Sequence, residues 1–147
     1  MTDDSLRFDI IDQVMLIVHA DVAPRDSDWA RMSVVRNSSR AKLRGTLVVA
    51  PPRASINAAQ RADVAKFMKD TGSSVAVLTD SALIRGVAMA VGLLGVKARA
   101  FAPNALTAAL SFLVVPESRH GIFARRIEAL SAQLSSASRL SVAPTKA

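Results

Sequence analysis

The chain has no cysteine. That removes disulfides, thiol nucleophiles and thiolate-ligated zinc or iron–sulfur sites, and it fits a reducing compartment. It has no tyrosine, and aromatic residues make up only 4% of its 147 residues. Stacking platforms for single-stranded nucleic acid are correspondingly few. Histidine occurs twice, as His19 and His120, outside any metal-binding spacing such as His-Glu-x-x-His. No Gly-rich phosphate loop follows a strand-like segment, and no serine lies in a nucleophile elbow. No apolar run reaches the roughly 18 residues of a membrane span. The opening residues, Met1 to Asp9, are polar and acidic, unlike a secretory signal. The expectation is a cytoplasmic protein without a catalytic centre, metal or cofactor.

What is present points to a folded domain. Hydrophobic residues make up 50% and charged residues 21%, the balance of a globular chain. The length suits one domain with a real core. Net charge is +7, unevenly spread: residues 1–30 hold seven acids against two bases. Basic clusters occur at Arg36/Arg40/Lys42/Arg44 and at Arg119/Arg125/Arg126. With few aromatics and no nucleic-acid motif, these read as solvated helix faces, and nucleic acid is set aside as a partner.

The pattern is organised around Ser73 to Phe101. Val75, Val77 and Leu78 form a short β-branched run, which suits a strand buried on both faces. Asp80 or Ser81 caps a helix that runs over 82–94, apolar all round except for Arg85. Such a helix is expected to be buried on more than one side. Gly95 stops it, and a strand over 97–101 follows. Two strands joined in this way are parallel, with a right-handed crossover.

Upstream, Phe8–Ile11 and Val14–Ala20 read as a hairpin turning at Asp12-Gln13. Asp26-Ser27-Asp28 opens a helix to about Lys42, with Trp29, Met32 and Val35 inward and Arg36 and Arg40 outward. Gly45 breaks it, and Thr46–Ala50 is a strand. After Pro51-Pro52-Arg53-Ala54, Ser55 caps a helix to Thr71, ended by Gly72. Downstream, a helix over Ala105–Val114 is interrupted by Pro116. An amphipathic helix over 116–137 carries Ile122, Phe123, Ile127, Leu130 and Leu134, and the tail 138–147 is expected to be disordered. The fold class is α/β: a mixed four- to five-stranded sheet with an N-terminal β-hairpin and helices packed on it.

Asp26-Ser27-Asp28-Trp29, VAVLTDSALIRGVA and KARAFAPNALTAALSFL, in this order of elements, resemble the STAS superfamily. These are the sulphate-transporter and anti-sigma-factor antagonist domains, and the likeness is closest to the SpoIIAA-like branch. It covers residues 6–115. It implies a non-catalytic regulatory module that docks on a protein partner. It also implies that Ser55, which occupies the place of the family's phosphorylatable serine, is a phosphorylation candidate, although Pro51-Pro52-Arg53-Ala54 replaces the acidic turn usual there. Comparison of that branch with the CRAL-TRIO lipid-transfer fold implies the alternative of a lipid carrier.

The residues themselves nominate one region. Ligands in open α/β sheets gather at the carboxyl ends of strands. Ser55, Ser81 and Asn104 present helix starts there, beside Asp80, and Arg53 and Arg85 add charge. A small anionic ligand or a docking partner would meet these six residues, and simple capping explains the same serines. The surplus apolar surface of the helix over 82–94 points to a homodimer. An apolar cavity inside the fold would favour the carrier, and a close-packed core would favour docking.

Overall fold

The computed structural model describes residues 4–142, and side-chain surroundings as far as Leu134. The elements are β1 (Leu6–Ile11), β2 (Val14–His19), α1 (Asp26–Ser38), β3 (Gly45–Val49), α2 (Ala58–Thr71), β4 (Ser74–Leu78), α3 (Ala82–Gly92), β5 (Ala98–Phe101), α4 (Leu106–Phe112), a 3₁₀ turn (Glu117–Arg119) and α5 (His120–Val142). The strands form one sheet in the order β1-β2-β3-β4-β5. β1 and β2 are antiparallel, with Leu6 opposite His19, and every other pair is parallel. The strands expected over Thr46–Ala50, around Val75–Leu78 and over 97–101 lie side by side as β3, β4 and β5.

The hairpin turns without glycine. Asp12 and Gln13 both take positive φ, 49° and 69°, which a tight two-residue hairpin turn demands and Asp tolerates better than most. Asp12 is then held by Arg119, whose Nε donates to Oδ2 at 2.7 Å.

Sequential strand order has a consequence for layering. Each parallel connection is a right-handed crossover, so α1, α2 and α3 fall on the same face. Met32, Phe67, Met68, Ile84, Ala88 and Val91 pack there on Met15, Ile17, Val75 and Val77. The other face carries α4 and α5, with Leu110, Leu113, Phe123 and Leu130 against Val14, Leu16, Leu47 and Ala76. The sheet is therefore sandwiched, which is why β2 (VMLIVH) is buried at every position.

Asp28 locks the start of α1 to the start of β1. Its Oδ2 accepts from Ser5 N at 2.7 Å and from Ser5 Oγ at 2.6 Å. Arg31 pairs with its other oxygen at 3.1 Å. Burial works to raise the Asp28 pKa, but the Ser5 hydrogen bonds with Arg31 and Arg25 outweigh it, and the net shift is downward.

Several boundaries differ from the sequence reading. α1 stops at Ser38, and Gly45 belongs to β3 rather than breaking a helix. A Cβ on Gly45 would stand 3.2 Å from Leu113 Cδ2, so glycine there lets the end of α4 approach the sheet. Ser55 does not cap α2. Asn57 does, accepting from Gln60 N at 2.8 Å while Gln60 Oε1 accepts from Asn57 N at 3.0 Å. That reciprocal capping box outcompetes a serine two residues earlier. α4 ends at Phe112, short of Val114, which takes a φ of 61°. α5 runs on to Val142, through part of the tail expected to be disordered; residues 143–147 lie outside the described residues.

Two burial expectations are overturned. α3 is buried on one side only, through Ile84, Ala88 and Val91. Leu83, Met89 and Leu93 are 65%, 71% and 89% exposed, because α3 lies at the β5 edge of the sheet. Arg36 is not on an outer face but 3% exposed, its charge met by Asp63 at 2.9 Å.

Candidate functional site

The helices over β2–β5 leave a pocket of about 90 Å³ between themselves and the sheet. Its floor follows from strand alternation: Ile17 and His19 from β2, Thr46 and Val48 from β3, Val75 and Val77 from β4. Its roof includes Met32 and Arg36 of α1, Met68 of α2, and Ile84, Val87 and Ala88 of α3. The loop before α2 adds Ala54, Ser55 and Ile56. Trp29, Val48, Ser55, Ile56 and Val87 are partly exposed, so the pocket communicates with the surface.

Most of the wall is hydrocarbon, and the polar groups within it are specific. Asp63 Oδ2 accepts from Trp29 Nε1 at 2.9 Å and from Arg36 Nη2 at 2.9 Å. The Arg36 guanidinium also stands 4.6 Å from the centre of the Phe67 ring, a cation–π distance. A buried cation is tolerated when it is paired and hydrogen-bonded in this way. His19 is 5% exposed. Burial pushes its pKa down from 6.5 to about 4, so the imidazole is neutral at pH 7.

Of the six residues nominated from the sequence, Ser55 alone lines this pocket. Ser81 caps α3, accepting from Ile84 N at 3.2 Å. Arg85 donates to Thr79 O at 3.4 Å. Arg53 is exposed and its backbone N–H donates to Asp21 at 2.8 Å. Asp80 and Asn104 are exposed, and Asn104 does not cap α4, whose first flanking residue is Ala105. A phosphate on Ser55 would therefore sit on the pocket wall rather than on the first turn of a helix. No group of three or more His, Cys, Asp or Glu that could hold a metal occurs among the described residues.

The residues that the sequence reading passed over are His19, Arg36 and Thr46. Each had a signal. His19 follows Met15 and Ile17 in strand alternation, and Thr46 precedes Val48. Arg36 follows Trp29 and Met32 at helical spacing.

No protein-family model matches the chain, and no curated protein matches it. No described helix is long and apolar enough to cross a membrane.

Proposed function

We propose that this chain is a small non-catalytic binding domain of STAS-like, SpoIIAA-like type, and that its working part is the pocket between the sheet and α1–α3. The pocket itself carries this reading: an apolar recess with a few placed polar groups, open at one side, is the usual form of a small-molecule site. The STAS likeness draws support from the element order, a hairpin followed by three strand–helix–strand crossings. The pocket is smaller than the roughly 150 Å³ cavity that accommodates benzene, so it takes a small molecule or the end of a larger one, not a whole lipid.

A thermal-shift panel tests this. Short alcohols and short ketones are expected to raise the melting temperature of the wild type. They should leave Ala88→Leu, which fills the pocket from α3, unmoved. If no compound shifts the wild type, the reading fails.

A second reading, docking on a protein, rests on α3. Leu83 and Met89 on α3 and Leu93 at its C-cap are exposed apolar side chains on a segment with no charge in it but Arg85. In this reading α3 is the contact, in a homodimer or with a regulatory partner. Sedimentation should then give a mass above 15.6 kDa that Leu93→Glu returns to the monomer value. A wild type that stays monomeric at tens of micromolar removes the homodimer.

A further inference from the structure

Away from the pocket, charge is segregated along the strand direction. β2 to β5 all run one way, so the chain returns to their amino ends after α1, α2 and α3. α4 brings it back there too, since Leu113 lies against Gly45 at the start of β3. The amino end of the sheet is therefore built from residues 12–13, 39–44, 68–73, 93–97 and 113–119. These segments hold six bases against three acids. The carboxyl end, built from residues 4–5, 20–28, 50–57, 79–81 and 102–105, holds five acids against two bases. One end of the molecule is cationic and the other anionic, which gives it a preferred orientation toward any charged surface.

The cationic end has charge to spare. Two of its acids are already matched, Asp12 by Arg119 at 2.7 Å and Asp70 by Lys66 at 2.9 Å. Lys42, Lys69 and Lys97 are exposed and have no ion-pair partner among the described residues.

The same end carries exposed apolar side chains. Leu93 and Val114 are the two most exposed large apolar residues among those described, at 89% and 73%, and Leu94 beside Leu93 is half exposed. Val114 is also strained. It closes α4, with the Val115 N–H donating to Leu110 O at 2.9 Å across it, and takes a φ of 61°. Glycine occupies such a position freely, and a β-branched residue does not. No core contact offsets the strain, because Val114 belongs to neither hydrophobic cluster. A residue held at a sparsely populated angle only to present a side chain to solvent points to something outside the fold.

The geometry of these side chains favours a lipid surface over a protein. Val114 adjoins the start of β3, where Arg44 Nη2 donates to its carbonyl at 3.4 Å, while Leu93 and Leu94 precede β5. Those strands are two spacings apart, about 10 Å. The leucines and the valine stand on separate loops as prongs, with the lysines on other loops around them. A protein partner would need a matching recess for each prong, whereas the boundary between lipid headgroups and acyl chains is fluid and accepts them as they stand. Lysine suits its edge, because the stem lies along apolar material while the ammonium stays with the headgroups.

We propose that the amino end of the sheet seats on an anionic membrane surface, with Leu93, Leu94 and Val114 entering the headgroup–acyl boundary and Lys42, Lys69 and Lys97 meeting lipid phosphates and carboxylates. The anionic carboxyl end then faces away from the bilayer. The full chain is to be sedimented with vesicles of phosphatidylcholine containing about 30% phosphatidylserine, and with vesicles of phosphatidylcholine alone. The wild type is expected to bind the anionic vesicles and not the neutral ones. Lys42→Gln with Lys97→Gln should weaken binding roughly 25-fold, at about fivefold for each cation near the surface. Leu93→Ser with Val114→Gly, which leaves every charge in place, should weaken it by more than about tenfold. The absence of native cysteine allows a single polarity-sensitive fluorophore to be placed at will. On anionic vesicles its emission should shift to the blue at Leu94→Cys and stay unchanged at Val22→Cys, an exposed apolar position at the opposite end. A wild type that ignores anionic vesicles overturns the proposal, as do equal blue shifts at the two positions. Full binding by the Leu93→Ser, Val114→Gly variant would reduce the effect to simple charge adsorption and also overturn it. Tighter capture by poly-glutamate than by the vesicles would make this a face for an acidic protein instead. None of these results touches the pocket.

Discussion

Replacing Phe123 with alanine is expected to lower the free energy of unfolding by about 4 kcal/mol, in the range for a fully buried Phe→Ala change. Phe123 is 0% exposed and belongs to the core that joins α5 to β2 and β3. The cost combines lost transfer free energy with a cavity that the flat sheet face cannot collapse to fill. A domain of this size has about 5–15 kcal/mol in total, so the variant should be close to its unfolding threshold at 37 °C. The neighbouring Ile122 is only partly buried and lies outside that core. Ile122→Ala should cost much less, about 1 kcal/mol. Urea unfolding of both variants decides it. Equal losses would mean that α5 is not seated on the sheet through Phe123.

The second large effect is a dependence on pH. His19 takes up its proton near 6.5 in the unfolded chain and at about 4 in the folded one. Between those values the unfolded state binds more protons, so stability falls as the pH falls through this window. The full contribution is present above 6.5, and up to about 3 kcal/mol is lost by pH 4. Asp28, with its pKa lowered below 3.8, adds its own loss only under more acidic conditions. Urea midpoints measured from pH 7 to pH 4 should decline for the wild type and stay flatter for His19→Gln. A wild type indifferent to pH over that range would count against a buried neutral imidazole, and an unchanged slope in His19→Gln would assign the titration elsewhere.

The architecture was legible because it is written in short-range patterns. The runs around Val14–His19, Thr46–Val49 and Val75–Leu78 are continuous and β-branched, as strands covered on both sides must be. Gly72 marks the end of α2, as its left-handed C-cap; Gly95 also takes positive φ, but α3 stops earlier, at Gly92, short of the expected 94. The errors came where a partner distant in sequence decides the outcome. Arg36 has the spacing of an inward residue after Trp29 and Met32, yet its charge argued for solvent. Only Asp63, 27 residues on, makes its burial affordable. The exposed side of α3 has a related cause: an apolar helix is buried all round only if something lies on both sides of it, and the edge position of β5 is a property of the whole sheet. Ser55 reads as a cap when taken alone, whereas the helix start is decided by the reciprocal Asn57-x-x-Gln60 pair two residues later.

The neighbour-by-neighbour strand order also bears on how the chain acquires its structure during synthesis. Every strand pairs with the one made just before it, so the sheet and its α1–α3 cover can grow in step with translation. The opposite surface has no such luck. Val14, Leu16, Val18 and Leu47 wait for residues 106–134, which are made after all five strands, and until then they form a bare greasy plane. A stalled or C-terminally truncated product would present that plane to chaperones and to other nascent chains, which makes the interval before α5 emerges the period of greatest risk of aggregation.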